Sequence, residues 1–115
     1  MQFNYEVNQE NIGVYTLEGN LIGENDGMVL TNSFNDNMED GTLNFVMDLT
    51  NLQHINSSGL GVFITLLTKT RKKGGELFLV NPSEYIRNLM LITKLNSIFS
   101  IFDTVEDAQK ALKAK

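Results

Sequence analysis

The chain lacks cysteine altogether and carries only one histidine and one proline. Without cysteine, a disulfide framework and a thiolate metal site are both impossible. A single imidazole, His54, leaves little for histidine-based metal binding or general-base chemistry. A hydrolase of the serine–histidine–acid kind would need Ser57, His54 and Asp48 or Asp103 to converge, and no Gly-x-Ser-x-Gly elbow is present. His54 therefore reads as an ordinary loop residue. No glycine run leads into Gly-Lys-Ser/Thr, which removes a Walker phosphate loop. Asp36, Glu39 and Asp40 lack the alternating ligand spacing of a calcium loop and read as a solvated helix end. The expectation is a protein with no metal site, no cofactor and no catalytic residue.

Positive charge is also scarce. Nine Lys and Arg stand against 14 Asp and Glu, a net charge of −5. Nucleic-acid binding depends on cations that neutralise phosphates, so this balance argues against it. It likewise disfavours anionic membranes. Apolar stretches are broken by polar residues well short of the roughly 20 needed to cross a bilayer. Residues Met1 to Glu6 show neither the basic start nor the apolar block of a secretory signal. A soluble, cytoplasmic, non-enzymatic protein is expected, with no direct membrane insertion.

What is present is an ordinary globular composition, 42% hydrophobic and 20% charged over 115 residues. That length predicts one domain spanning residues 1–115. No repeat, linker or low-complexity block interrupts it. Phe3, Tyr5 and Val7 alternate with Asn4, Glu6 and Asn8, which is strand patterning. A polar turn at Gln9-Glu10-Asn11 leads to a second alternating run, with Val14 and Leu17 its firmest apolar members, so the two form an antiparallel hairpin. Residues 19–27 read as a loop, and Met28 to Met38 as a helix closed by Asp40-Gly41. Leu43 to Leu49 is an apolar strand of the doubly buried kind, and Leu52 to Asn56 a connection.

Ser57 opens a helix whose stripe Leu60, Phe63, Ile64 and Leu67 follows helical spacing, and Lys69 to Lys73 complement its carboxyl end before Gly74-Gly75. Leu77 to Val80 is another buried strand. Asn81-Pro82-Ser83-Glu84 reads as cap, first turn and reaching glutamate of a third helix with Ile86, Leu89, Met90 and Thr93 inside. Ile98 to Phe102 is a last strand. Thr104 with Val105, Ala108 and Leu112 marks a short amphipathic helix. The order β-β-α-β-α-β-α-β-α implies an α/β fold with a mixed, mainly parallel sheet, an N-terminal antiparallel hairpin and about four helices.

The chemically informative stretch is Asp48 to Gly61. A buried strand runs through a loop into two serines and two glycines at a helix start. The first amides of a helix lack internal partners and point outward with the positive end of the macrodipole. Gly59 and Gly61 carry no side chains to shield them. Glycine costs about 0.8–1 kcal/mol against alanine within a helix, so its presence there implies close backbone approach or an unusual dihedral. Local chemistry also allows a plainer reading, in which Ser57 or Ser58 is simply the N-cap.

The run Leu52-x-x-Ile55-Asn56-Ser57-Ser58-Gly59-Leu60-Gly61-Val62 resembles the signature of the STAS domain, in particular the bacterial anti-sigma factor antagonists. The Leu17-x-Gly19-x-Leu21 element, Gly74-Gly75 before a strand, and the Leu89 to Leu95 helix fit the same pattern. The resemblance implies a phosphorylation-controlled binding module. Its unphosphorylated form binds an anti-sigma factor that is itself a serine kinase and so frees the sigma factor. Phosphorylation of Ser57, with Ser58 the alternative, ends that binding, and a phosphoserine phosphatase restores it. The implied partner face comprises Asn56, Ser57, Ser58, Gly59, Leu60, Gly61 and Val62. Leu66 joins it because Val62 and Leu66 lie opposite the core stripe. A plainer role for both is packing against a neighbouring helix.

Two departures stand out. The family pattern has aspartate before the first serine, where this chain has Asn56. It also commonly has an acidic residue after the second strand, where this chain has Ile22. Asparagine keeps the shape and turn tolerance of aspartate but not its charge. Both departures leave room for another reading, a STAS adaptor that is never phosphorylated and serves a transporter or other multiprotein complex. A small-molecule binder using the helix N-terminus is a third class.

Overall fold

The computed structural model describes residues 1–22 and 24–114. Its elements are β1 (Gln2–Val7), β2 (Ile12–Leu21), α1 (Glu24–Glu39), β3 (Asn44–Ile55), α2 (Ser57–Lys72), β4 (Glu76–Val80), α3 (Glu84–Ile92), β5 (Ile101–Phe102) and α4 (Val105–Lys113), with a 3-10 turn at Leu95–Ser97. This is the expected element order. The strands form one five-stranded sheet in the order β1-β2-β3-β4-β5. Strand β1 is antiparallel to β2, and every other pairing is parallel. Asn8 shapes the hairpin turn, its Oδ1 accepting from the amides of Glu10 at 3.0 Å and Ile12 at 2.9 Å.

The sheet is covered on both faces, which explains the continuous apolar runs of its central strands. On one face Tyr15, Leu17, Phe45, Met47, Leu77 and Leu79 pack with Leu30 and Phe34 of α1, Phe63 and Leu67 of α2, and Ile86 and Met90 of α3. On the other, Ile12, Val46, Phe78 and Val80 meet Ala108 and Leu112 of α4. Tyr15 sets its hydroxyl deep in the first layer. It shares a 2.7 Å hydrogen bond with Ser33 Oγ and accepts from Asn37 Nδ2 at 2.7 Å, tying β2 to α1. Burial raises its phenol pKa above the ordinary value, despite the opposing effect of those two bonds.

Several boundaries differ from the pattern reading. Helix α1 starts at Glu24, so the expected loop at 19–27 is largely β2 and helix, and Gly23 within it lies outside the described residues. Glu24 and Asp26 suit the positive end of that first turn. Strand β3 runs on to Ile55, taking in the expected connection at 52–56, because Glu18 to Leu21 of β2 continue to pair with it across two register shifts. The last strand shrinks to Ile101–Phe102, since the amides of Ile98 and Phe99 bond back to the Leu95 carbonyl of the 3-10 turn. Ser83, not Asn81, caps α3 and accepts from the Ile86 amide. Asn81 instead adopts a left-handed φ of 48° and donates to Thr50 Oγ1. Val14 faces the α4 layer, and Tyr15 takes the core position beside Leu17.

The largest correction concerns α2. Leu66, expected on the outward side, is fully buried, while Ile64, expected in the core stripe, is 36% exposed. The inward face is Leu60, Phe63, Leu66, Leu67 and Thr70. Thr70 is polar by type but satisfies its hydroxyl locally, donating to the Leu67 carbonyl at 2.8 Å, and so can be buried without an orphaned group. Leu66→Ala should therefore cost about 2–5 kcal/mol of unfolding free energy, and Ile64→Ala under half of that. Urea denaturation of the two variants measures the difference directly, and equal losses would contradict this helix phase.

Candidate functional site

The extended end of β3 carries the chain to the rim of the sheet. There Leu52 and Ile55 remain buried, while Gln53 and His54 are exposed. Asn56 then turns the chain with extended backbone angles and becomes the N-cap of α2. Its Oδ1 accepts from the Gly59 amide at 2.9 Å, and its carbonyl accepts from Leu60 at 3.0 Å. Neither Ser57 nor Ser58 is the cap. Both are exposed, at the first and second helical positions, and neither hydroxyl has a hydrogen-bond partner among the described residues. Asparagine caps a helix as well as aspartate does, so the Asn56 departure preserves the local fold and removes one negative charge beside Ser57.

The electrostatics of this tip follow from the cap. The amides of Gly59 and Leu60 are satisfied by Asn56, which leaves those of Ser57 and Ser58 directed away from the helix. Helix α2 has no acidic residue in its first turn, whereas α1 has Glu24 and Asp26, α3 has Glu84, and α4 has Glu106 and Asp107. At its other end Lys69, Arg71 and Lys72 complement the carboxyl pole.

The two glycines differ in their reasons. A Cβ on Gly59 would collide with Ile55 Cγ1 and lie 2.6 Å from the Leu21 carbonyl oxygen, so only glycine allows α2 to seat against the sheet rim there. A Cβ on Gly61 would meet nothing within 4 Å. No internal contact accounts for Gly61, which leaves a bare stretch of backbone next to the two serines.

Beside the tip a groove of about 330 Å³ runs between α1 and α2, lined by Glu24, Gly27, Met28, Thr31, Asn32, Ser58 and Val62. The helices cross closely where a Cβ on Gly27 would lie 2.7 Å from Val62 Cγ2. Val62 thus does two things: it packs against the neighbouring helix and walls the groove. The structure brings Asn56, Ser57, Ser58, Gly61 and Val62 to one accessible surface. It withdraws Gly59, Leu60 and Leu66, which are buried and hold the helix in place. For Leu60 and Leu66 this corrects the expected partner contact, because a side chain packed into the core presents nothing to a partner.

His54 is an exposed strand residue instead of a loop residue, and its ring lies edge-on to Tyr85 of α3 at 5.3 Å. Asp48 sits six positions earlier on the same strand, roughly 20 Å away at about 3.3 Å per residue. It is engaged with Thr50, accepting from its amide at 3.0 Å and its hydroxyl at 2.6 Å. Asp48 and His54 therefore do not converge with Ser57. Among the described residues no cluster of three or more His, Asp or Glu could hold a metal ion. The α1 wall of the groove and Tyr85 were not identified by sequence reasoning, because no local spacing signals that two helices will lie side by side.

The STAS domain model matches residues 4–108. The chain belongs to the STAS family. A candidate anti-sigma factor antagonist of Thermotoga maritima is 28% identical over 82 residues, which is 71% of this chain and 73% of that one. An anti-sigma-B factor antagonist of Staphylococcus aureus is 29% identical over 68 residues, 59% of this chain and 63% of that one. The unphosphorylated structure of the anti-sigma factor antagonist SpoIIAA superposes with a TM-score of 0.85 at 19% identity, covering 99% of this chain and 98% of that one. The phosphorylated form of Bacillus SpoIIAA superposes at 0.76 and 20% identity, covering 96% and 98%. These likenesses show that the mixed five-stranded sheet and four helices described above are the STAS fold.

The capping geometry sets the stability of this STAS tip. Asn56→Ala should destabilise the domain by about 1 kcal/mol and Asn56→Asp by much less. Gly59→Ala should be strongly destabilising because the new methyl meets backbone, whereas Gly61→Ala should stabilise by about 0.8–1 kcal/mol. Thermal or urea unfolding of the four variants checks this order, and a stabilising Gly59→Ala would refute the close approach.

Proposed function

We propose that this STAS domain is an anti-sigma factor antagonist whose binding to a serine-kinase anti-sigma factor is switched off by phosphorylation of Ser57. The observation that carries the reading is the Ser57 hydroxyl itself: exposed, without a hydrogen-bond partner among the described residues, and fixed at the first position of a helix capped by another residue. Relatives named as anti-sigma factor antagonists, and a relative solved in phosphorylated and unphosphorylated forms, support it.

The chemistry fits the position. Phosphoryl transfer joins Ser57 Oγ to the terminal phosphorus of ATP as the bond from that phosphorus to the bridging oxygen breaks and ADP leaves, with the hydroxyl proton passing to a kinase base. The product carries about −1.5 to −2 charges at neutral pH. The outward amides of Ser57 and Ser58 and the acid-free first turn accommodate that charge without unfolding the helix. Asn56, being neutral, adds no repulsion. The cost falls on the interface: a hydrated dianion stands on the exposed first residue of α2, next in sequence to Ser58, which lines the groove. A penalty of about 4 kcal/mol there would weaken binding roughly a thousandfold.

The accessible surface of Asn56, Ser57, Ser58, Gly61 and Val62, with the groove, is the partner face in this reading. Ser58 differs from Ser57 in that it lines the groove, so its phosphate would enter the contact itself. A phosphoserine phosphatase completes the cycle. The Asn56 departure does not favour the unphosphorylated transporter-adaptor reading once the residue is recognised as the cap, since the amide performs that role as well as a carboxylate.

The test is to incubate the protein with its cognate anti-sigma kinase and ATP and map the phosphate by mass spectrometry. One phosphate on Ser57, absent from Ser57→Ala, is expected, and Ser57→Asp should bind the kinase at least tenfold more weakly. Phosphate that persists in Ser57→Ala, or an unchanged affinity of Ser57→Asp, would remove the proposal. Copurification with membrane transporter subunits and no soluble kinase would favour the adaptor. Gly61→Ala supplies an independent check: the more stable variant should bind less well, because its methyl occupies the bare surface facing the partner.

A further inference from the structure

We propose that Met28 is a peroxide-sensitive site whose conversion to the sulfoxide disables the α1–α2 groove, a second control on the partner face that rests on the function proposed above. The chain has neither cysteine nor tryptophan, so its oxidisable sulfur resides in five methionines. They are not equivalent. Met47 and Met90 are fully buried, and Met1 and Met38 are partly buried against the core. Met28 is 60% exposed. It is also the methionine that walls the groove, opposite Val62 and next to Ser58. An oxidant reaching the folded protein therefore meets one open thioether, and that thioether lies on the proposed binding surface.

The reaction needs only a peroxide. A lone pair on Met28 Sδ attacks one peroxide oxygen, the O–O bond breaks as the S–O bond forms, and a proton shift releases the other oxygen as water. The sulfur is oxidised by two electrons and the peroxide reduced by two. The product replaces a flexible apolar side chain with a polar, chiral one, and methionine sulfoxide reductases reverse it with thiol reductant. The groove also holds Thr31, Asn32 and Ser58, so the cost falls on the partner: an apolar group that packs on the Met28 thioether must instead cover a polar S–O bond and strip its water. The fold is untouched, since the Met28 side chain projects from α1 and takes no part in the buried layers.

The experiment treats the folded protein with dilute hydrogen peroxide, maps the peptides by mass spectrometry, and measures affinity for the cognate anti-sigma kinase by calorimetry. Met28 should be oxidised ahead of Met1 and Met38, with Met47 and Met90 unmodified. The oxidised protein should bind about tenfold more weakly or worse, at unchanged melting temperature. Met28→Leu, measured against its own affinity before treatment, should lose no binding on exposure to peroxide, and methionine sulfoxide reductase should restore the oxidised wild type. Oxidation of Met38 before Met28, or full-strength binding by the Met28 sulfoxide, overturns this inference alone. A reduced protein with no affinity for the kinase overturns the proposed function instead, a separate readout from the peptide map.

Discussion

One hydrogen bond organises the rim of this domain: the amide hydrogen of Gly59 donated to Asn56 Oδ1. It ends β3, starts α2 and relieves both serines of capping. The bond is possible because Gly59 has no Cβ, which lets the first turn descend onto Ile55 and the Leu21 carbonyl at the end of β2. Were Ser57 the cap, its oxygen would be committed to an amide of the next turn and held against the helix. Delegating the cap to Asn56 is what turns a serine into an accessible hydroxyl. The local fold and the proposed chemistry thus share one cause.

The helices distribute charge so that this tip stands apart. Three of the four place carboxylates in the first turn, the usual arrangement that stabilises a helix by a few tenths to about 1 kcal/mol. Helix α2 forgoes that contribution. It also carries Gly61, for which no internal contact compensates. What secures it is burial: Leu60, Phe63, Leu66 and Leu67 are each at most 2% exposed. Apolar side chains buried at that level contribute about 1.5–3 kcal/mol apiece, several times what the surface of the helix gives up. The inner face holds the helix in place and leaves its outer tip free of stability demands.

The alternation of strands and helices was readable because period-two and helical spacing differ sharply in this chain. The doubly buried runs at Phe45-Val46-Met47 and Leu77 to Val80 announced a covered parallel sheet. The motif at Asn56 to Gly61 stood out through its resemblance to the STAS signature, since local chemistry alone left a plain serine cap open. What stayed hidden depended on partners distant in sequence. The polar Thr50-Asn51 pair looked like a strand end, yet the pairing of β2 with β3 extends past it. Thr70 masked the true phase of α2 because its hydroxyl bonds within its own helix. Asn81 looked like a cap until its contact with Thr50 drew it away and left the role to Ser83. The groove arises from the crossing of α1 on α2 at Gly27 and Val62, which no single segment encodes.

These features decide where a phosphate on Ser57 would act. Its charge would sit outside the buried layers, near amides that stabilise it and away from every residue that holds α2 to the sheet. A modification in that position has little leverage on folding. Its leverage is on whatever covers the helix tip, where a hydrated dianion is costly to desolvate. The same reasoning explains why the two serines are not interchangeable. Ser57 stands exposed at the first helical position and outside the groove lining, where added charge resists desolvation. Ser58 lies on the groove surface, where added bulk would also obstruct. A partner that reads this surface is responding to solvation at a rigid rim, and the domain need not change shape to deliver the signal.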